Sequence, residues 1–326
     1  MVQTSDFECR EEPVPVVGEG DYLLRTLYVS VDPAQRGWMN EDPGYMPPIP
    51  LGEVMRGGTL SEVVESRDSA HAVGEIVSGF FGWQEYALGS SSPMGGQTIT
   101  PEHPLPRYLG VLGGTGLTAY FGLLDVGQAK PGQTILVSGA AGATGSVAAQ
   151  IAKIKGCRVV GIAGGPDKCA WLTGDLGLDA AIDYKREHVG DRLGALCPEG
   201  VHVYFDNVGG GILESALAHM VQGGRIACCG MIAGYNDAEP QPGPNNLFLL
   251  IARRITMAGF LVPDFAPRFE EARRELSAWL ASGRLQARED VEEGFEQIPT
   301  TFLRLFSGRN IGKQVLKVAD RTETSA

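Results

Sequence analysis

The chain has 326 residues, 43% hydrophobic and 20% charged, enough to bury one large core or two ordinary ones. Thirty-nine acidic residues against 27 basic ones leave a net charge of −12, which argues against nucleic-acid and anionic-membrane partners, since both reward clustered Lys and Arg. The opening MVQTSDFECREE lacks a basic region followed by an apolar core, and no apolar run approaches the ~20 residues that span a bilayer, so a cytoplasmic location is expected.

Up to about residue 113 the chain is strand-rich and punctuated by turns. Segments 22–31, 58–66 and 74–88 alternate or run apolar between Gly, Pro and Asp breakers, which predicts a compact β-rich domain. Beyond it, strands and helices alternate. Strands are expected over 134–138, 157–163, 180–184, 201–208, 224–231 and 255–262, with helices between most of them, so the second domain reads as a doubly wound parallel sheet. Over 268–282, Phe269, Ala272, Leu276 and Trp279 recur at helical spacing and Gly283 closes the helix. From about Arg288 the pattern reverts to short pieces, which returns the chain to the first domain. The domains are therefore 1–113 with 287–326, and 114–286. The polar tail 320–326 is expected to be disordered, and there is no internal repeat. Cys9, Cys157, Cys169, Cys197, Cys228 and Cys229 fall mostly within these elements without framework spacing, and read as reduced and mostly buried.

The first Rossmann strand runs into Gly139-x-x-Gly142-x-x-Gly145, and Val147, Ile151 and Ile154 then share one helix face. Such a turn lets the backbone approach a pyrophosphate while the helix N-terminus donates to it. About twenty residues on, where an NAD-binding chain usually offers an acid to the ribose, the second strand ends in Ala163-Gly164-Gly165. With no carboxylate to repel a 2′-phosphate, and Lys168 in the first turn of a helix opened by Pro166, the cofactor reads as NADPH; Asp167 weakens the local field.

No metal-ligand set is visible. No cysteine lies between Cys9 and Cys157, His71 and His103 stand apart, and the hydrolase signatures G-x-S-x-G and H-E-x-x-H are missing. Reducing a C=C bond conjugated to a carbonyl needs only a hydrogen-bond donor for the developing enolate oxygen, which suits a tyrosine. Tyr235 follows a predicted strand at the edge where a nicotinamide lies, and Tyr45, in a Pro/Gly-rich loop, is a weaker candidate that would cover the substrate pocket.

The segments 112–120, 203–210 and 308–315, with the Gly142 turn, resemble the zinc-independent medium-chain dehydrogenase/reductases, and the block 36–45 leans towards the bacterial curcumin-reductase-like members. Nearly the whole chain is covered. The resemblance implies a Rossmann domain beside a GroES-like β-rich domain, a homodimer, and NADPH-dependent reduction of enals and enones. It places cofactor contacts at Gly142, Ala143, Gly145, Gly164, Lys168, Tyr184, Asn207, Cys229, Tyr235, Phe260, Val262 and Asn310, with Lys168 and Tyr184 on the 2′-phosphate. Three departures stand out. Ala34-Gln35 replaces a Tyr-Met pair whose tyrosine lines the substrate site in many members. Gly113-Gly114-Thr115-Gly116 replaces Gly-Met-Pro-Gly and is expected to loosen the crossover between domains. Relatives also carry an opening strand before the segment matching 5–7, so either the start lies upstream or the first sheet is trimmed. An NADPH:quinone reductase and a non-catalytic, crystallin-like NADPH-binding protein remain as alternatives.

Overall fold

The computed structural model describes residues 1–92, 95–237, 239 and 242–322. In chain order its strands are β1 Tyr22–Ser30, β2 Thr59–Ser66, β3 Ile76–Gly79, β4 Tyr86–Leu88, β5 Gly96–Ile99, β6 Thr134–Ser138, β7 Arg158–Ala163, β8 Ala180–Asp183, β9 Val201–Asp206, β10 Met220–Cys228, β11 Thr256–Gly259, β12 Glu289–Glu293 and β13 Lys313–Lys317. The helices are α1 Ala34–Trp38, α2 Gly114–Phe121, α3 Ala143–Ile154, α4 Pro166–Gly174, α5 Val189–Leu196, α6 Gly210–His219, α7 Phe248–Ala252, α8 Phe269–Ala281 and α9 Ile298–Ser307. They form two compact units, one of Met1–Leu109, Glu289–Asn310 and the chain from Gln314, the other of Gly110–Arg288 and Ile311–Lys313.

The first unit is a sheet in the order β12-β13-β1-β2-β3-β5, with β4 also paired to β1. β1 is apolar on both faces and serves two cores. Leu24 packs with Val63, Val77 and Phe81, and Leu27 packs with Leu60, Ile76 and Val315. On α9, Ile298, Phe302 and Leu305 fall at helical spacing and close over Val29, Trp83 and Leu316. The predicted 74–88 segment splits into β3 and β4, because Gly82 turns at φ +83° and Trp83 N bonds Met55 O instead of a neighbouring strand.

The second unit is a six-stranded parallel sheet in the order β11-β10-β9-β6-β7-β8. Ile135, Leu136 and Val137 of β6 are fully buried, as a central strand covered on both faces requires. Strand order reverses between β6 and β9, which opens a ligand crevice at their carboxyl ends. Two strands are displaced from the sequence expectation. β10 starts at Met220 and stops at Cys228, because Cys229 N and Gly230 N both turn onto Asp206 O. β11 stops at Gly259, and Val262-Pro263 opens a 3-10 turn.

Two other expectations are corrected. At the crossover, a Cβ on Gly116 would lie 1.8 Å from Val111 O, so packing requires this glycine, whereas a Cβ on Gly114 would meet nothing within 4 Å. All six cysteines are free, but only Cys157 and Cys197 are buried; Cys169, Cys228 and Cys229 are half-buried and Cys9 is exposed. Within the tail, Asp320 O accepts from Arg25 and Thr322 bonds the buried Glu62 carboxylate, so 320–322 are ordered, while 323–326 lie outside the described residues.

Candidate active site

β6 delivers the chain to Gly139, whose φ of +57° is a conformation that L side chains rarely adopt. Gly142 then caps α3 in extended backbone, and Ser146 N closes the first helical bond on Gly142 O at 3.0 Å. Ala143, Thr144 and Gly145 head the helix, with the N–H groups that a helix leaves for an anion. The three glycines do different jobs. A Cβ on Gly145 would stand 2.3 Å from Gly139 O, so this glycine lets helix and turn touch; on Gly142 its nearest neighbour would be the same oxygen, at 3.2 Å. Behind the turn, Gly312 N donates to Ala141 O at 2.8 Å, and Gly312 pairs with Gly142 in a parallel bridge.

At the ends of β7 and β8 the structure brings Gly164 and Tyr184 together. A Cβ on Gly164 would come within 2.9 Å of the Tyr184 ring and of Lys185 Cε, so both side chains stand over the end of β7. Asp183 points inward and ties the two loops, its Oδ1 accepting from Gly165 N at 2.8 Å and Lys185 N at 3.1 Å. Gly165, at φ +101°, makes that contact possible. Lys168 sits in the first turn of α4. Lys185 is a cation the sequence reading passed over, although its place beside Tyr184 at a strand end is the signal that finds it.

At the ends of β9 and β10 lie Asn207, Cys229 and Tyr235. Asn207 Nδ2 donates to Ser138 O at 2.6 Å, which joins β9 to β6 across the point of reversal. Cys229 N hangs on Asp206 O at 2.8 Å, and burial, with the Asp206 carboxylate next in effect, pushes the Cys229 thiol up to about 12. The thiol is therefore neutral at physiological pH. Tyr235 ends a 3-10 turn after β10, and its hydroxyl accepts from Met231 N at 3.1 Å. At the end of β11, the Phe260 ring meets Phe205 edge-on, with centroids 6.5 Å apart, and lies where a Cβ on Gly122 would fall, while Val262 begins its 3-10 turn.

Tyr45 and Asn310 belong to the first unit. Trp38 Nε1 donates to Tyr45 OH at 2.6 Å, and Asn310 lies just past Gly308, the left-handed C-cap of α9. Gln35 is fully buried; its amide accepts from Asp32 N at 2.8 Å and donates to Arg56 O at 3.0 Å, so it is a backbone pin. His71 pairs with Asp68 at 2.6 Å and stacks on Tyr22.

Residues 1–95 match the family described as the N-terminal domain of oxidoreductase, and residues 143–281 the family described as zinc-binding dehydrogenase. Among the described residues no group of three or more His, Cys, Asp or Glu is placed to hold a metal, so the zinc of that description finds no ligand set there. The chain is 42% identical to the NADPH-dependent curcumin reductase of Escherichia coli, over 96% of this chain and 92% of that one. It is 40% identical to the NADP(+)-dependent 2-alkenal reductase of Nicotiana tabacum, over 97% and 93%. The crystal structure of CurA from Vibrio vulnificus in complex with NADPH superposes with a TM-score of 0.90 at 39% identity, over 95% of this chain and 94% of that one. With such identity over nearly the full length of its relatives, this chain belongs to the zinc-independent medium-chain dehydrogenase/reductases, the family of the curcumin and alkenal reductases.

Proposed function

We propose that this protein is an NADPH-dependent reductase of the C=C bond of α,β-unsaturated aldehydes and ketones. The observation that carries this reading is the placement of Tyr235, whose hydroxyl is anchored by Met231 N at the same end of the parallel sheet as the glycine turn. The cofactor fits the residues present. Gly142 leaves room for close approach, Ala143 and Gly145 bring helix N–H groups to the pyrophosphate, and Lys168, Tyr184 and Lys185 supply cations and a ring for the 2′-phosphate. Asn207, Cys229, Phe260, Val262 and Asn310 complete the cofactor contacts in this reading, with Tyr45 as a cover for the substrate.

NADPH, when bound, supplies the hydride. As the substrate's β-carbon accepts it, negative charge moves to the carbonyl oxygen, and Tyr235 donates its hydroxyl proton in a hydrogen bond to that oxygen. Solvent or the tyrosine then protonates the α-carbon. The neutral thiol of Cys229 adds no competing nucleophile to an electrophilic substrate.

The protein acts in the cytoplasm in this reading, consistent with six free cysteines, and as a homodimer. The partner copy pairs along β11, the outer strand of the six-stranded sheet, where Met257 and Leu261 are exposed and α7 adds exposed Phe248 and Ile251.

A panel following NADPH absorbance with enals, enones, quinones and saturated ketones tests the function. Turnover confined to enals and enones is expected. Preference for quinones supports the quinone-reductase alternative, and tight NADPH binding with no turnover on any electrophile supports a non-catalytic role.

A further inference from the structure

Asp206, the last residue of β9, is 1% exposed, yet it is a carboxylate. Its Oδ1 accepts from Ser138 Oγ at 3.0 Å, Tyr204 OH at 2.7 Å, Val208 N at 2.9 Å and Gly209 N at 2.9 Å. All four donors are neutral. Burying a carboxylate on neutral donors is costly, so core packing alone gives no reason for an acid here. Burial, seconded by this carboxylate, raises the Tyr204 hydroxyl well above its ordinary range, so Tyr204 remains a donor.

What the carboxylate joins gives it a purpose. Ser138 ends β6 immediately before Gly139, and its hydroxyl, besides donating to Asp206, accepts from Asn207 N at 3.0 Å. On the other side, the Asp206 carbonyl takes Cys229 N at 2.8 Å and Gly230 N at 3.1 Å, while Asn207 O and Val208 O take Ile232 N at 3.3 Å and Ala233 N at 3.1 Å. The loop that carries Tyr235 thus hangs on residues 206–208, and the glycine turn starts from the serine that the same carboxylate holds. Hydride transfer is steep in distance and orientation, so a fixed relation between these segments has direct kinetic value.

We propose that Asp206, acting through Ser138, is a positioning residue of the reaction: it sets the cofactor turn, Asn207 and the Tyr235 loop against one another. This rests on the NADPH reading above.

Two variants separate positioning from stability. Tyr204→Phe and Ser138→Ala each remove one hydroxyl donor from Asp206, but Tyr204 lies in the core and bonds the Asp206 and Ser138 side chains, whereas Ser138 itself takes Asn207 N. The measurements are the melting temperature of the cofactor-free protein, the NADPH Kd from its fluorescence on binding, and kcat and KM on one enone. Both variants are expected to melt below the wild type. Only Ser138→Ala should raise the NADPH Kd, by about tenfold, and lower kcat by more than it raises the enone KM. Equal Kd and kcat in the two folded variants would overturn the inference while leaving the cofactor reading intact. A wild-type protein that binds no NADPH would overturn both.

Discussion

The two glycines of the cofactor turn make separable predictions, because the space around them differs. At Gly145 an added Cβ would lie 2.3 Å from Gly139 O and 2.9 Å from Gly139 C, both backbone atoms that cannot rotate away. Real Cβ atoms essentially never come within 3.0 Å of a neighbour, so α3 and the turn must part by at least 0.7 Å, the difference between that limit and 2.3 Å. Overpacking of this kind costs about 1–3 kcal/mol, and it moves the helix N–H groups from the anion they serve. At Gly142 the same Cβ has a single neighbour, at 3.2 Å, which a small adjustment relieves. In the proposed cofactor reading, its methyl instead fills the space that the pyrophosphate needs. Gly145→Ala should therefore lose both melting temperature and NADPH affinity. Gly142→Ala should melt within a few degrees of wild type and yet bind NADPH at least tenfold more weakly, a loss of about 1.4 kcal/mol. Thermal unfolding without cofactor and fluorescence titration with NADPH read the two effects separately. Wild-type affinity in a well-folded Gly142→Ala would refute the placement of the pyrophosphate.

Lys168→Ala and Lys185→Ala should each reduce the preference for NADPH over NADH by about threefold to tenfold, the range of one partly exposed ion pair; equal losses with both cofactors in steady-state kinetics would place the 2′-phosphate elsewhere. Tyr235→Phe keeps the ring and removes the hydroxyl, so kcat should fall by about tenfold, below the 10²–10³ seen for a dedicated oxyanion donor, if, as the family resemblance implies, a ribose hydroxyl of NADPH also donates to the enolate oxygen. NADPH affinity should barely change, and an unaltered kcat on a small enone would reduce Tyr235 to a wall of the pocket. Cys229, with its thiol near 12, has about one thiolate in ten thousand at pH 8, so iodoacetamide at that pH should leave activity intact; inactivation that tracks carbamidomethylation of Cys229 in peptide mass spectra would contradict its neutral state.

The parts that were legible in the sequence are those encoded by neighbours. The run β6, glycine turn, α3 is written within 134–154, where a β-branched strand, a fixed glycine spacing and a helical repeat each state the same structure. The missing acid after β7 was equally local. What the sequence hid depends on sheet register and on distant partners. Ser138 and Asp206 are 68 positions apart and meet only because β6 and β9 pair at the reversal of strand order. Lys185 reaches the end of β7 because β7 and β8 pair so that Ala163 faces Asp183. The need for glycine at position 116 was hidden in the same way, because composition carries no sign of the backbone, Val111 O, that excludes a side chain there. The role of Gln35 was likewise hidden, since its buried amide bonds pin the segment after β1 through Arg56 O, 21 positions away.

The central claim is that the hydride goes to the β-carbon rather than to the carbonyl carbon. The direct measurement is NMR of the product formed from benzylideneacetone and NADPH deuterated at C4 on the transferred face. The account predicts the saturated ketone with deuterium at the β-carbon and the carbonyl intact. Deuterium on the carbinol carbon of an allylic alcohol would contradict it.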